Sequence, residues 1–476
     1  MTPVVAPGLD RDSDGQVFSD LEISEALIRR FDQSGPRYTS YPTADRFRNG
    51  YAAASYLKHL EERTAHGRAV PLSVYVHLPF CESLCYFCAC NKIITKDHSK
   101  SAEYLDVLFR EMAMVGAYLG RQRETVQLHL GGGTPTFLSA AELTALMDAL
   151  RRHFVFTSDA ELGVEIDPRT VTPETLAMLA GLGFNRCSFG VQDFNPQVQA
   201  AVNRIQPYEM VRTAIRASRD NGFESINADL IYGLPKQTLD SFRNTIDQLI
   251  DLSPDRIALY NYAHLPERFK SQRLIQAADL PSAETRMQIF LMSMRRLLAA
   301  GYVYIGLDHF AKTNDELNRA RLNHGLHRNF QGYTTRAECD LIGFGVSAIG
   351  KIGNAYVQNH HSLNAYADRV EHGNLPTDKG FDLSHEDVMR REVIMAIMCS
   401  KPIDFAVFES RHGVAFTACF QQELAQLAPH IDAGLLAVNA RGLHVLPTGR
   451  VFVRALAMAF DQYVRRPRVV TYSKLI

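Results

Sequence analysis

The chain has 476 residues, 46% of them hydrophobic and 22% charged, with a formal net charge of −1. That length is ample for a large α/β core with an appended unit. The balanced charge excludes a global pull toward nucleic acid or anionic membrane, and no apolar run approaches the ~18 residues of a membrane span. The first twenty residues carry Asp10, Arg11, Asp12 and Asp14 where a secretory leader would be basic and then apolar. A cytoplasmic protein with no membrane or nucleic-acid partner is therefore expected.

From Leu21 to Phe31, the positions Leu21, Ile23, Leu27, Ile28 and Phe31 suit a short helix. The stretch from Ser34 to Ala44 (SGPRYTSYPTA) has neither helical nor strand period, and Pro36 and Pro42 fix it in an extended form. It reads equally as a linker or as an ordered segment covering something.

From residue 72 onward, strands and helices alternate. Short β-branched and aromatic runs predict strands at 72–78, 126–130, 161–166, 186–190, 225–231, 256–261 and 303–307. Ser139 with Glu142 makes a capping box ahead of Leu143, Leu146, Met147 and Leu150. Thr172-Pro173 supplies an N-cap followed by proline, and a helix after Thr238 carries Phe242, Ile246, Leu249 and Ile250 on one face. Such repeated β-α units imply a parallel sheet. No GxGxxG follows the first strand, so a partial (β/α) TIM-like barrel is expected, with functional residues at the C-terminal strand ends.

Beyond about residue 380 the pattern changes. Ser384 and Asp387 open a helix with Val393, Ile394, Ile397 and Met398, and another follows near 416–427. Residues 435–445 read as a hairpin, and 449–464 as a last helix. Helices followed by a small hairpin resemble a winged-helix arrangement, for which core building outweighs DNA binding. Basic residues cluster there only at Arg465, Arg466 and Arg468.

Four of the eight cysteines, Cys81, Cys85, Cys88 and Cys90, fall within ten residues directly after the first strand. Thiolates this crowded need a soft cation, either zinc or an iron–sulfur cluster. A structural zinc site wants a second ligand pair, whereas Cys187, Cys339, Cys399 and Cys419 stand alone and read as buried small hydrophobes. Spacing and context favour a [4Fe–4S] cluster on Cys81, Cys85 and Cys88, which leaves one iron without a protein ligand. With Phe87 before its last cysteine, CxxxCxFC after a strand resembles the signature of the radical S-adenosylmethionine (SAM) enzymes.

Other strand ends carry polar groups. Gly131-Gly-Gly-Thr-Pro-Thr136 lets backbone amides approach a ligand closely, although a turn needs glycine too. Glu165-Ile-Asp-Pro-Arg169, Gly190-Val-Gln-Asp-Phe-Asn195 with Arg204, Asn227-Ala-Asp229 and Asn261-Tyr-Ala-His-Leu-Pro266 follow in turn. Any one could be structural, but five on one rim point to a bound cofactor.

From about Leu27 to Ile476 the sequence resembles the oxygen-independent coproporphyrinogen III oxidase family. The resemblance rests on SGPRYTSYPTA, YVHLPFCESLCYFCACNK, GGGTPT, EIDPR, GVQDFN, DLIYGLPKQT, NYAHLP, DHFA, HRNFQGYTT and GVSAI. It implies two SAM molecules beside the cluster. Tyr75, Gly132, Glu165 and Ile349 match positions lining the first. Phe87, Gly133, Thr134, Gln192, Arg204, Asp229 and Ala263 match positions lining the second. Cys90 matches an extra cysteine that does not ligate the cluster and that haem-chaperone relatives lack. Leu130 stands where many relatives carry Trp, and this chain has no Trp at all.

The resemblance further implies a reaction. Two 5′-deoxyadenosyl radicals would convert two propionates of coproporphyrinogen III to vinyl groups, with loss of CO₂, giving protoporphyrinogen IX in haem biosynthesis. The electron would come from a reductant protein such as a flavodoxin or ferredoxin, and the enzyme would act as a monomer. Four substrate carboxylates call for arginine, so Arg37 and Arg328 are the substrate candidates, with Tyr38 and Ser40 closing over the site. His309 and His327 read as structural. The expected division is an N-terminal extension with substrate-covering segment (1–50), a radical SAM barrel (51–370) and a mainly helical C-terminal domain (371–476). A haem-binding protein on the same barrel, or an enzyme acting on another tetrapyrrole, are the competing readings.

Overall fold

A computed structural model of the chain describes residues 23–31, 33–65, 70–120, 123–336 and 339–464. The Leu21 end of the expected first helix and the Arg465–Arg468 cluster lie outside the described residues. Two compact units make up the chain. One holds residues 42–282 and 336–388, and the other the residues up to 41, 283–335 and 389 onward. By spatial grouping, residues 283–335 thus belong with the N-terminal segment and the C-terminal helices, a division that crosses the linear one.

The larger unit is built on six consecutive parallel strands: β1 (Leu72–Leu78), β2 (Glu124–Gly132), β3 (Val155–Ile166), β4 (Arg186–Gln192), β5 (Ser225–Tyr232) and β6 (Arg256–Asn261). Every one was expected, and 72–78 and 256–261 keep their expected limits. Period two makes the sheet legible. In β1, Leu72, Val74, Val76 and Leu78 are all 0% exposed, while Tyr75 and His77 take the opposite face. Burying each such Val or Leu contributes roughly 1.5–3 kcal/mol. Helices Ser99–Tyr118, Ala140–His153, Pro173–Gly181, Tyr208–Asp220 and Leu239–Leu252 return the chain between strands. Their starts follow local chemistry: Ser139 and Glu142 form the reciprocal capping box, and Thr172 and Thr238 cap through their hydroxyls.

The other half of this sheet was not expected. β7 (Asp340–Phe344) lies parallel to β1, and β8 (Ile349–Ile352), β9 (Ala355–Asn359) and β10 (Thr377–Asp382) continue antiparallel from it. Gly343, Gly345, Gly350 and Gly353 interrupt the β-propensity there, yet Gly343 and Gly350 sit where a Cβ would press on Ile349 and Leu341 backbone. The strands are specified by close backbone approach, which no hydropathy pattern records.

In the smaller unit, helix Glu25–Phe31 precedes the SGPRYTSYPTA segment, which proves ordered. Buried Arg454 donates through Nε to the Pro36 carbonyl at 3.1 Å, Tyr38 donates to Asp461 at 2.9 Å, and the Tyr41 hydroxyl accepts from the Gln462 amide at 3.2 Å. Tyr302–Gly306 pairs with His309–Lys312, and His327–Asn329 with Gly332–Thr334. The expected hairpin is present, Leu436–Val438 pairing with Gly442–Val445, and Ile403–Asp404 adds a third strand. Phe405, Phe408, Phe416 and Phe420 stack in the core beside it, as a core-building role demands.

Two expected helices are shorter than their periodicity. The 416–427 helix breaks at Phe420, whose φ of −111° leaves the helical basin, into Phe416–Cys419 and Gln421–Gln426. The 449–464 helix is a 3₁₀ turn over Thr448–Phe452 and an α-helix over Val453–Met458 only. Asp461 ends that run by accepting the Tyr463 amide at 2.7 Å and the Val464 amide at 3.3 Å.

Candidate active site

The cysteine loop leaves the C-terminal end of β1 and is clamped from several sides. Phe80–Cys81 pairs in parallel with Ile93–Ile94, so both ends of the loop are held. Between them, the Tyr86 amide donates to the Val202 carbonyl at 3.0 Å and the Asn203 side chain to the Leu84 carbonyl at 2.8 Å. Gln272 and Ser271 donate to the Phe87 and Cys88 carbonyls at 3.1 and 2.9 Å. His77 donates through Nε2 to the Asn91 carbonyl at 2.9 Å, and burial lowers its pKa, which keeps the ring neutral. These bonds tie the loop at both ends and along its length.

The GGGTPT turn is shaped to this loop. Gly132 has a φ of +110°, and a Cβ there would strike the His77 ring. A Cβ on Gly133 would sit 2.6 Å from the Pro79 carbonyl carbon and 2.7 Å from the Phe80 carbonyl oxygen. The Gly133 and Thr134 amides donate to Leu78 and Phe80 at 2.8 Å each, and the Thr134 hydroxyl reaches Cys81 Sγ at 3.4 Å. The glycines therefore seat the turn against the cysteine loop itself.

The thiols differ in their surroundings. Burial pushes Cys81 up to about 11, against the pull of the Thr134 hydroxyl. A hydrogen bond from the Cys90 thiol, strengthened by nearby Lys92 and Arg204, lowers Cys88. Two guanidiniums point at Cys85 Sγ: Arg204 Nη1 at 3.4 Å and Arg169 Nη2 at 3.5 Å. Among the described residues, no three His, Cys, Asp or Glu groups lie close enough to hold a single metal ion. A cubane asks for a different arrangement, one thiolate to each of three irons. Three cysteines on one fixed loop with N–H and O–H donors aimed at the sulfurs fit that demand.

Beside the loop, the strands carry two clusters of polar groups. Tyr75 and His129 are opposed across β1 and β2 and stack at 6.0 Å. His129 Nε2 lies 3.1 Å from Glu165, whose other oxygen accepts the Gly132 amide at 3.1 Å. Burial opposes the Glu165 charge, but His129 and that amide hold the carboxylate below its usual range. Its side chain still keeps 43% of its surface accessible, as a group lining a cavity does. Further along, Asp229 accepts from Ser188 and Asn227, each at 2.9 Å.

Gln192 has a φ of +66°, which costs about 1–2 kcal/mol, and its Oε1 is buried with no partner. Asn261 Oδ1 is likewise buried without one. Unsatisfied groups at strand ends are where a polar ligand is expected. Phe87 packs on the Val198, Val202, Leu234, Tyr262 and Ile275 cluster. Ala263 and Ile349, both half-buried, follow β6 and begin β8. His129 and Ser188, which the sequence reading did not single out, also belong to these clusters, and Asp167, Arg169 and Asn227, seen there only within their segments, stand beside them. The register that sets Glu165 opposite Ser188, and Ser188 opposite Asn227, was the signal that could have found Ser188.

The radical SAM superfamily profile matches residues 75–249, and the profile described as the HemN C-terminal domain matches 383–452. The chain is 47% identical over 452 residues to an oxygen-independent coproporphyrinogen III oxidase of Pseudomonas aeruginosa, covering 94% of this chain and 98% of that one. An Escherichia coli protein of the same name is 44% identical, over 95% and 98% of the two chains. The solved structure of coproporphyrinogen III oxidase (HemN) from Escherichia coli, described as a radical SAM enzyme, superposes with a TM-score of 0.88 at 43% identity. It covers 92% of this chain and 99% of that one. This chain belongs to the oxygen-independent coproporphyrinogen III oxidase family. With membership of this radical SAM family come a [4Fe–4S] cluster and SAM as cofactors.

In the smaller unit, the substrate candidates are placed as follows. Arg37 pairs with Asp308 at 2.8 Å, Tyr38 is wholly buried with its hydroxyl on Asp461, and Ser40 is 3% exposed. Tyr38 thus helps to fix the segment. Arg328 is 9% exposed and lies 4.9 Å over the Tyr333 ring, with Nε and Nη1 unpartnered. Both amide atoms of Gln331, on the same hairpin, are also buried and unpartnered. His327 Nε2 is 2.9 Å from Lys401 Nζ, and His309 packs edge-on against Tyr333.

One carboxylate here has a pH signature. Burial, with Glu165 nearby, raises Asp229 from 3.8 to about 6. Its folded pKa exceeds the unfolded one, so ionisation costs nothing below pH ~4, costs progressively more between about 4 and 6, and costs most above. Asp229→Asn should therefore stabilise the ligand-free protein at pH 7.5 by about 1–3 kcal/mol, the gain vanishing toward pH 4. Paired thermal melts across that range check this; a variant less stable at pH 7.5 would show that the Ser188 and Asn227 bonds outweigh the burial.

Proposed function

We propose that this protein is an anaerobic radical SAM oxidoreductase of haem biosynthesis that decarboxylates two propionates of coproporphyrinogen III to vinyl groups, giving protoporphyrinogen IX. The observation carrying this reading is near full-length similarity to coproporphyrinogen III oxidases joined to a three-thiol loop beside polar clusters on the strands. When bound, the cluster and SAM would supply a 5′-deoxyadenosyl radical to take hydrogen from a propionate β-carbon, with CO₂ and one electron, passed to an acceptor, lost to leave the vinyl group. The protein's share is placement. Cys81, Cys85 and Cys88 would hold the cluster. Tyr75, Gly132, Glu165 and Ile349 would line one SAM. Phe87, Gly133, Thr134, Gln192, Arg204, Asp229 and Ala263 would line a second, which the unpartnered Gln192 oxygen supports.

Arg328 would meet a substrate carboxylate, with Arg37 as a second candidate released from Asp308. A buried guanidinium with two unsatisfied nitrogens is costly unless an anion completes it. Arg328→Gln should raise KM for the porphyrinogen about 10–100-fold, the loss of one charged hydrogen-bonded pair, with SAM cleavage retained. A cytoplasmic monomer reduced by a flavodoxin or ferredoxin is the accompanying proposal; no helix among the described residues is long and apolar enough to cross a membrane.

The deciding assay is anaerobic turnover of the reconstituted protein with SAM, a reductant and coproporphyrinogen III. Protoporphyrinogen with about two equivalents of 5′-deoxyadenosine is expected, one for each decarboxylation. SAM cleavage without CO₂ release would remove the substrate assignment, and stoichiometric haem binding with neither product would remove the enzyme.

A further inference from the structure

Arg169 has no role in the reading above, yet it is built into the cysteine loop's surroundings. Asp167 accepts from Arg169 Nη2 at 2.7 Å and Nε at 3.0 Å, and from Arg204 Nη1 at 3.0 Å. One carboxylate thus spaces two guanidiniums, and a second N–H contact of each reaches the same atom, Cys85 Sγ, at 3.5 and 3.4 Å. Arg204 is fixed further by donating to the Gly190 carbonyl at 2.7 Å and to Gln206 at 3.1 Å. Asp167, Arg204 and Cys85 are each less than 9% exposed, so water screens this group weakly. Two cations against one anion leave one net positive charge beside the sulfur.

We infer that the Asp167–Arg169–Arg204 triad sets the reduction potential of the cluster through hydrogen bonds to Cys85, with Arg169 and Asp167 as opposing positioning residues. The physical reason is charge. Reduction adds one electron to the cluster and its thiolates, and N–H donors and positive charge at a ligand sulfur stabilise that added electron. Arg169 would therefore raise the potential, and Asp167 would hold it back by drawing on the same guanidiniums. Arg204 serves both the sulfur and the proposed second SAM, whereas Arg169 reaches the sulfur and its own carboxylate. The inference rests on the cluster reading of the three cysteines, which iron and sulfide analysis checks separately.

The test is a redox titration followed by EPR on reconstituted protein without SAM, comparing the parent with Arg169→Gln, Arg169→Lys and Asp167→Asn. At the parent's midpoint, Arg169→Gln should lower the reduced-to-oxidised ratio about tenfold, equivalent to ~59 mV for a one-electron couple. Arg169→Lys should recover part of that loss, and Asp167→Asn should move the ratio the opposite way. Should Arg169→Gln fail to hold a cluster, Asp167→Asn decides, since asparagine can still cap the turn. Shifts in one common direction, no shift, or a shift seen only after SAM is added would overturn the inference. A parent with no cluster at all would instead overturn the reading beneath it.

Discussion

Cys85→Ser is expected to yield a folded protein that reconstitutes no [4Fe–4S] cluster and releases no measurable 5′-deoxyadenosine from SAM. The argument is one of ligand count. In the proposed arrangement the loop would offer one thiolate to each of three irons and keep the fourth open, so losing one would leave two unsupported corners. Serine is a poor substitute, because its alkoxide is far more basic than a thiolate, and because Arg169 and Arg204 would face a neutral hydroxyl. Cys81→Ala and Cys88→Ala should behave alike. Cys90→Ala is the control, because its thiol serves Cys88 by hydrogen bonding. It should keep iron and sulfide at parental content. Quantifying iron, sulfide and the visible absorption of the four variants separates the triad from Cys90; a Cys90→Ala protein devoid of cluster would make it a fourth ligand.

The sequence revealed the parts of the site that are contiguous and hid those that are register-dependent. Cys81, Cys85, Cys88 and Phe87 lie in one segment, so their spacing and the strand before them could be read together. Glu165 and Asp229 could be singled out because each is a carboxylate set within an apolar strand. His129 could not: it precedes GGG inside a strand, and its meaning comes from standing opposite Tyr75 and against Glu165. Arg169 was visible in EIDPR but without direction, since pointing a guanidinium at Cys85 takes the 3₁₀ turn that Asp167 caps. The parallel strands were legible for the same reason as the thiols, as each carries a local period. β7 to β10 were not, because Gly343 and Gly350 answer to the close backbone approach of Ile349 and Leu341, which leaves no mark in a hydropathy pattern. In the smaller unit, Arg328 was chosen for its charge alone; its unpartnered nitrogens are a property of the folded hairpin.

Gly133→Ala should cost nearly as much as losing a cysteine, although it removes no functional group. The Gly133 Cβ position is occupied on two sides by main-chain atoms of Pro79 and Phe80, which cannot rotate away as a side chain could. Accommodation must move either the turn or the strand end that leads into Cys81. Moving the turn breaks the Gly133 and Thr134 amide bonds to Leu78 and Phe80 and withdraws the Thr134 hydroxyl from Cys81. Overpacking of this kind costs about 1–3 kcal/mol, and each abandoned hydrogen bond adds about 1. Those sums leave a large domain folded but displace Cys81 relative to Cys85 and Cys88, the other two proposed cluster ligands. The expected result is a protein with parental far-UV circular dichroism, cluster content cut at least several-fold, and SAM cleavage reduced more than cluster content. Gly181→Ala, at the exposed end of helix Pro173–Gly181 with open space around its Cβ and no positive φ, supplies the comparison for substitution itself. A Gly133→Ala protein with full cluster and parental SAM cleavage would mean that the turn and the loop move together, and that their close approach is incidental to the chemistry.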